Sequence, residues 1–343
     1  MAKKIFDSTE RRHVWQRISL VIVLGLGVYL ILPQVAVLKN SLQVVEAMLL
    51  WVVGLALIAQ VLSYIGSGYL LQKTLAIAQE GVSLLRSTLI VLGAASISMV
   101  AGGLVGSSAA IYRWTRGKGD QVEGATLASL LPSLFNDFVL VLVSIFGLIY
   151  LLLVHNLDKI QVIGFTIILV ILGIALGTAI LAMRYRDRTV AVFDWIQTFA
   201  GRLMHRPVDT SRVRKEVDNL FDAWEVLWQR GWHLLALGAL LNVVFDMLTL
   251  FFMFVASGQN IGIGVLIAGY GLPILLGKIA FILPGGLGVV ETGMTAIYKV
   301  LGVPGDVAVV VVLGYRLISF WIPSISGFPI AAYLQSQREK SKS

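Results

Sequence analysis

The chain has 343 residues, 57% of them hydrophobic and 13% charged, with a formal net charge of +8 and no cysteine. A soluble domain carries about 45–50% apolar and about 25% charged residues, so this composition excludes an ordinary soluble fold. Lack of cysteine excludes disulfides, thiolate catalysis and sulfur-ligated metals.

Backbone groups in lipid must be satisfied within the chain, which leaves helices or a closed barrel. The long runs of Leu, Ile, Val and Ala here do not alternate, so the chain reads as an all-α polytopic membrane protein, a single integral membrane domain over 1–343. Its basic excess is loop charge that sets orientation rather than a nucleic-acid surface.

The basic start "MAKKIFDSTERRHVWQR" gives a cytoplasmic segment over 1–15. The apolar run after it has no small-residue cleavage site and reads as a first crossing, not a signal peptide. Runs of about 20 apolar residues, the length that spans the hydrocarbon core, predict crossings near 16–33, 46–70, 122–153, 157–183, 232–257 and 307–333. "LPQVAVLKNSLQVVE" between the first two reads as a short amphipathic piece.

Two apolar regions, 84–112 and 261–300, do not fit a simple count. Lys3, Lys4, Arg11, Arg12 and Arg17 at the start, nine basic residues between Arg184 and Arg230, and Arg338, Lys340 and Lys342 at the end all belong in the cytoplasm. The connections "VHNLD" and "SGQN" carry no Lys or Arg and suit the outer face. A full crossing by 87–110 would put Arg113, Arg116 and Lys118 outside, and the 184–231 region with them. A re-entrant hairpin removes both violations, and the same count makes 261–300 a second hairpin that enters from outside. The fold expected is six full crossings plus two re-entrant helical hairpins, in a cell inner or plasma membrane with both termini cytoplasmic.

An internal repeat supports this. "AGGLVGSSAAIYRWTRGKGD" (101–120) resembles "PGGLGVVETGMTAIYKVLGVPGD" (284–306), matching Gly-Gly-Leu, Ile-Tyr plus a basic residue, and Gly-Asp. The second copy has three more residues between the glycines and Ile-Tyr, and the first lacks the proline and any acidic residue near its glycines. Three crossings per half invert the second half, giving an inverted-topology repeat over 1–155 and 156–335. In such proteins, interrupted apolar segments at matching positions mark the site.

The segment 184–231, with "VAVFDWIQTFAGRLM" and "VRKEVDNLFDAWEVLWQR", reads as cytoplasmic amphipathic helices lying on the membrane or packed as a hairpin on the protein; 335–343 is a cytoplasmic tail. Ionisable residues inside spans cost about 2.5–3.5 kcal/mol each on insertion scales and face a cavity or a partner. Those here are Asp137, Asp246, Lys278, Glu291 and Arg316, with Asn242 one turn before Asp246. They pair to hold the bundle, or they line a path. Glu291 either caps the helix that begins after "GGLG" or shares that helix start, with Arg316 or Lys278, in receiving an anionic head group.

"GLPILLGKI" has the wrong spacing for a phosphate loop, and Gly173-x-x-x-Gly177 is a helix-packing motif. The four histidines have no metal spacing. No metal, cofactor or catalytic constellation is expected.

At "LPGGLGVVETGMTAIY", "GGLVGSSAAIYRW" and "GYRLISFWIPSISG" the chain resembles the lysylphosphatidylglycerol synthase transmembrane family, also called UPF0104, over about 15–335. The resemblance implies the lipid-translocating module of longer proteins that also carry a soluble aminoacyl-transferase domain. With Ser343 close behind the last predicted crossing, that domain is expected to be absent. The resemblance carries Gly285, Gly286, Gly288, Glu291 and Arg316 over as path residues.

The expected function is therefore a flippase or transporter for an anionic or aminoacylated phospholipid. Lys278, Asp137, Asp246, Asn242, Gly102 and Gly103 join the path, and Arg113 and Lys299 attract head groups at the two leaflets. Its partners would be membrane phospholipids, a second copy of the chain, or a separate lipid-modifying enzyme, and not nucleic acid. Two alternatives stand beside it. One is a membrane enzyme or accessory subunit acting on polyprenyl-phosphate-linked substrates, which would need Asp137 and Asp246 paired across a cavity within about 5–9 Å. The other is a scaffold with every buried charge paired.

Overall fold

A computed structural model describes residues 42–77, 81–100, 103–116, 122–154, 159–185, 191, 231–279 and 284–340. The predicted crossing 16–33, Gly102, and all but the edges of 184–231 lie outside the described residues. The described residues form helices and no strands: α1 (Leu42–Glu46), α2 (Leu50–Ile77), α3 (Leu84–Val100), α4 (Gly103–Thr115), α5 (Val122–Val154), α6 (Lys159–Arg184), α7 (Trp232–Ala256), α8 (Ile263–Ile279), α9 (Val289–Val300), α10 (Gly305–Arg316) and α11 (Ile322–Lys340). A 3₁₀ turn, Pro284–Gly286, precedes α9, and a π-helical turn, Leu317–Trp321, joins α10 to α11.

Among the described residues, four stretches are long and apolar enough to cross a membrane: Leu50–Ile77, Gly124–Val154, Trp232–Ala256 and Gly305–Glu339. The outer surface agrees, with Leu50 80% and Ile160 84% exposed and many large apolar side chains like them. A water-facing monomer rarely shows so much contiguous apolar surface; a bilayer covers it.

The most extensive helix contact among the described residues is between α2 and α7, which pack along their lengths. They run antiparallel: Leu49 N–H bonds Ala256 O at one end, while Gly238 lies on Leu70 towards the other. A Cβ on Gly66 would sit 2.8 Å from Asn242 N, and one on Gly238 would sit 2.9 Å from Leu70 Cα. Lipid tails give helices no hydrophobic reason to associate, so close backbone approach through small residues and interhelical hydrogen bonds drive it. Asn242 adds the bonds: its Nδ2 donates to Ser63 O at 3.1 Å and Ser63 Oγ at 2.9 Å, and Ser63 Oγ donates to Asn242 O at 3.0 Å.

Around this pair, α3 packs on α11 and α5 packs on α8, while α4 folds back on α3 and α9 on α8. Tyr298 of α9 seats over Gly269 of α8, edge-on to Phe254 with centroids 4.7 Å apart, and its hydroxyl donates to Leu266 O at 3.1 Å. These contacts fix α9 against α8 and aim the turn between them at the core.

Candidate functional site

The site begins where the helical backbone stops. Gly285, Gly286 and Gly288 have φ of 61°, 66° and 82°, a region L side chains avoid and glycine enters freely. Space imposes the same choice: a Cβ on Gly285 would meet the Phe320 ring at 2.1 Å, and one on Gly286 would lie 2.6 Å from Gly277 Cα.

The break frees backbone groups that lipid cannot satisfy, and two charged side chains take them up. Gly288 N–H donates to Glu291 Oε2 at 2.6 Å, and Arg316 Nη2 donates to Gly285 O at 2.7 Å. Arg316 Nε closes the ring by donating to Glu291 Oε1 at 2.6 Å. Glu291 also stands in the first turn of α9, where a carboxylate meets the positive end of the helix dipole. Both residues are buried, Glu291 2% and Arg316 7% exposed, and the guanidinium lies 4.6 Å from the Phe320 ring centroid. The pair is a charge-assisted clasp that holds an irregular loop inside an apolar bundle.

A second cluster adjoins it. Tyr270 of α8 and Tyr315 of α10 both donate to Asp246 Oδ2 on α7, at 2.7 and 2.6 Å. Gln60 of α2 lies beside the same carboxyl group, and its Oε1 is buried without a partner among the described residues. Ser319 Oγ, in the π-helical turn, is likewise buried and unpartnered there. Tyr315 precedes Arg316 directly, so the two clusters share a wall.

Lys278 of α8 bonds Asp137 of α5, each side chain about one third exposed, at 34% and 33%. Asn136, the preceding residue, keeps a buried and unpartnered Oδ1 among the described residues. Gly103 opens α4 with φ 51°, and Gly102 lies outside the described residues. Arg113 and Lys299 are exposed in the last turns of α4 and α9.

The structure thus brings Gly285, Gly286, Gly288, Glu291 and Arg316 together, sets Asp246 beside them, and pairs Lys278 with Asp137 elsewhere along α8. Asn242 serves the α2–α7 contact. Asp137 and Asp246 are engaged by different partners. Sequence reasoning missed Gln60, Tyr270, Tyr315 and Phe320. A lone amide in an apolar run was a usable signal for Gln60; the aromatic residues gave none, since Tyr and Phe are ordinary in membrane helices.

Comparison with known proteins agrees with the membrane assignment. The family model described as "Lysylphosphatidylglycerol synthase TM region" matches residues 16–327. A UPF0104 membrane protein of Methanocaldococcus jannaschii is 23% identical over 137 residues, covering 39% of this chain and 40% of the relative. Two UPF0104 membrane proteins of Methanothermobacter thermautotrophicus are 36% identical over 89 residues, 26% of each chain, and 24% identical over 206 residues, 59% of this chain and 60% of the relative. The matched stretches span less than two thirds of each relative's length.

Proposed function

The chain belongs to the lysylphosphatidylglycerol synthase transmembrane-region family, and from that premise we propose that it carries the head group of an anionic or aminoacylated phospholipid between leaflets. One observation carries the reading: a glycine-built break, held by a buried Glu291–Arg316 pair, sits inside an apolar bundle next to a half-buried carboxyl group held by two tyrosines. A bundle that needed only to pack would be built more cheaply from continuous helices, because ionisable groups and free backbone in lipid are costly. Along the path stand Gly285, Gly286, Gly288, Glu291, Arg316, Asp246, Asn242, the Lys278–Asp137 pair, and Gly102 and Gly103 of the first half.

The architecture proposed with it is six crossings and two re-entrant hairpins, α3–α4 and α8–α9, in an inverted repeat. Packing supports this reading. Exchange α2 with α7, α3 with α8, α4 with α9 and α5 with α10–α11, and the helix contacts map onto one another. The α3–α11 contact becomes α8–α5, α3–α4 becomes α8–α9, and α4–α5 becomes α9–α10. Gly103 and Gly286, matched in the repeat, both have positive φ, 51° and 66°. In this arrangement Arg113 and Lys299 attract phosphate groups at opposite leaflets of the cell membrane, with both termini cytoplasmic.

The test is reconstitution in liposomes with fluorescent phosphatidylglycerol and its lysyl ester, following leaflet exchange by quenching the outer label. Exchange above the protein-free rate, lost in Arg316→Ala and Glu291→Gln proteins that remain folded, is expected. Exchange unchanged in both variants removes the named site.

A further inference from the structure

Interior charge does not balance in contact pairs. Arg316 is spent on Glu291, and Lys278 on Asp137. Asp246 has no basic side chain in contact with it among the described residues; its hydrogen-bond donors are the neutral hydroxyls of Tyr270 and Tyr315, with the amide of Gln60 nearby. An ion held only by neutral groups in a low-dielectric interior is expensive, and a carboxyl group resolves that by taking up a proton.

The donor geometry fits such a group. Both tyrosines donate to one oxygen, Oδ2, which leaves Oδ1 as the atom to carry a proton. Gln60 is 5% exposed and holds an unpartnered Oε1. A side-chain amide offers two donors on one side and two lone pairs on the other. Turned one way it can donate to a carboxylate. Turned the other way its Oε1 accepts from a protonated Oδ1, which gives the orphaned oxygen its partner.

Several elements present polar or charged groups near Asp246. Helix α2 presents Gln60 and Tyr64, α8 Tyr270, α10 Tyr315 and Arg316, and the π-helical turn Ser319. Helix α5, also packed on α7, carries Asp137, engaged by Lys278. Arg316 is the nearest positive charge, and Glu291 answers it.

We propose that Asp246 is a proton-binding site whose loading, sensed by Gln60, is coupled to the position of the glycine break; the coupling rests on the transport reading above. The route is short. Tyr270 ties the carboxyl to α8, whose Gly277 packs on Gly286, and Tyr315 ties it to α10, whose next residue, Arg316, holds Gly285 O. Uptake of one proton at Oδ1 weakens the charge that draws both hydroxyls inward, and so loosens α8 and α10 around the loop.

Two measurements on the full chain separate this claim from the transport claim. In lipid nanodiscs, pH-difference infrared spectra should show a carboxylic C=O band growing as pH falls. The band should be absent from Asp246→Asn, present in Asp137→Asn, and shifted in Gln60→Leu. A band that survives Asp246→Asn, or one that responds to sodium at fixed pH, overturns the proton site whether or not lipid moves. In liposomes clamped at zero membrane potential, a gradient of about one pH unit should hold labelled lipid about tenfold unequally between leaflets if one proton moves per lipid. Exchange that ignores the gradient overturns the coupling and leaves the transport reading standing. A proton band with no exchange of either lipid overturns the transport reading and the coupling with it.

Discussion

Tyr315 and Arg316 are consecutive residues of α10 that serve different polar clusters: the tyrosine hydroxyl reaches Asp246 Oδ2 at 2.6 Å, and the guanidinium Nε reaches Glu291 Oε1 at 2.6 Å. Successive side chains on a helix point about 100° apart, so one turn of α10 holds both α7 and the broken loop. The π-helical turn that starts at Leu317 follows at once. Pro323 has no N–H for the carbonyl four residues back, at Ser319, which gives a physical reason for the ladder to be reset here.

Breaking the clasp strands a buried charge. Arg316→Ala should destabilise the folded bundle by about 3–5 kcal/mol, the usual result of removing one member of a buried ion pair. Glu291→Gln/Arg316→Met should lose less than the sum of its single changes. Reversible unfolding in mixed micelles, run as a double-mutant cycle, measures both.

The two loop glycines should respond differently to repair. Alanine at Gly285 or Gly286 adds strain of about 1–3 kcal/mol from its φ alone, plus a clash. At Gly285 the clash is with the Phe320 side chain, so Phe320→Leu should recover part of the loss. At Gly286 the obstacle is the backbone of Gly277, and no side-chain change should recover it. Thermal stability of the four proteins in detergent decides this.

Small residues between α2 and α7 should be intolerant of growth. Gly238→Val forces a side chain onto the Leu70 backbone and should abolish the monodisperse peak in size-exclusion chromatography. Gly54→Ala and Gly164→Ala, with nothing within 4 Å of the added carbon, should run like the parent protein.

Sidedness is directly testable because the chain has no cysteine. Arg113→Cys and Lys299→Cys, both at exposed positions, should label with an impermeant maleimide from opposite faces of sealed vesicles. Labelling of both from one face would rule out the inverted arrangement.

Much of the fold was readable from apolar run length. The predicted 122–153 and 232–257 correspond to α5, Val122–Val154, and α7, Trp232–Ala256. The run over 46–70 is displaced, because the chain turns after Glu46 and α2 continues to Ile77. The break at 284–288 was legible because proline and three positive-φ glycines leave a mark in sequence. Gly103, which opens α4 with φ 51°, carries no such proline, and only the similarity of its stretch to 284–306 drew attention to it.

The sequence alone determined that this is a helical membrane chain, where its helix is interrupted, and which charged residues lie within its apolar runs, since lipid punishes exposed backbone and charge wherever they fall. Tertiary structure decided the partners. Whether Lys278 meets Asp137 or Glu291, and whether Asp246 meets a cation or two tyrosines, depends on which helices touch at which depth. That is set by the close approach of backbones at glycines such as Gly66, Gly238 and Gly277, a matter of shape between segments far apart in the chain.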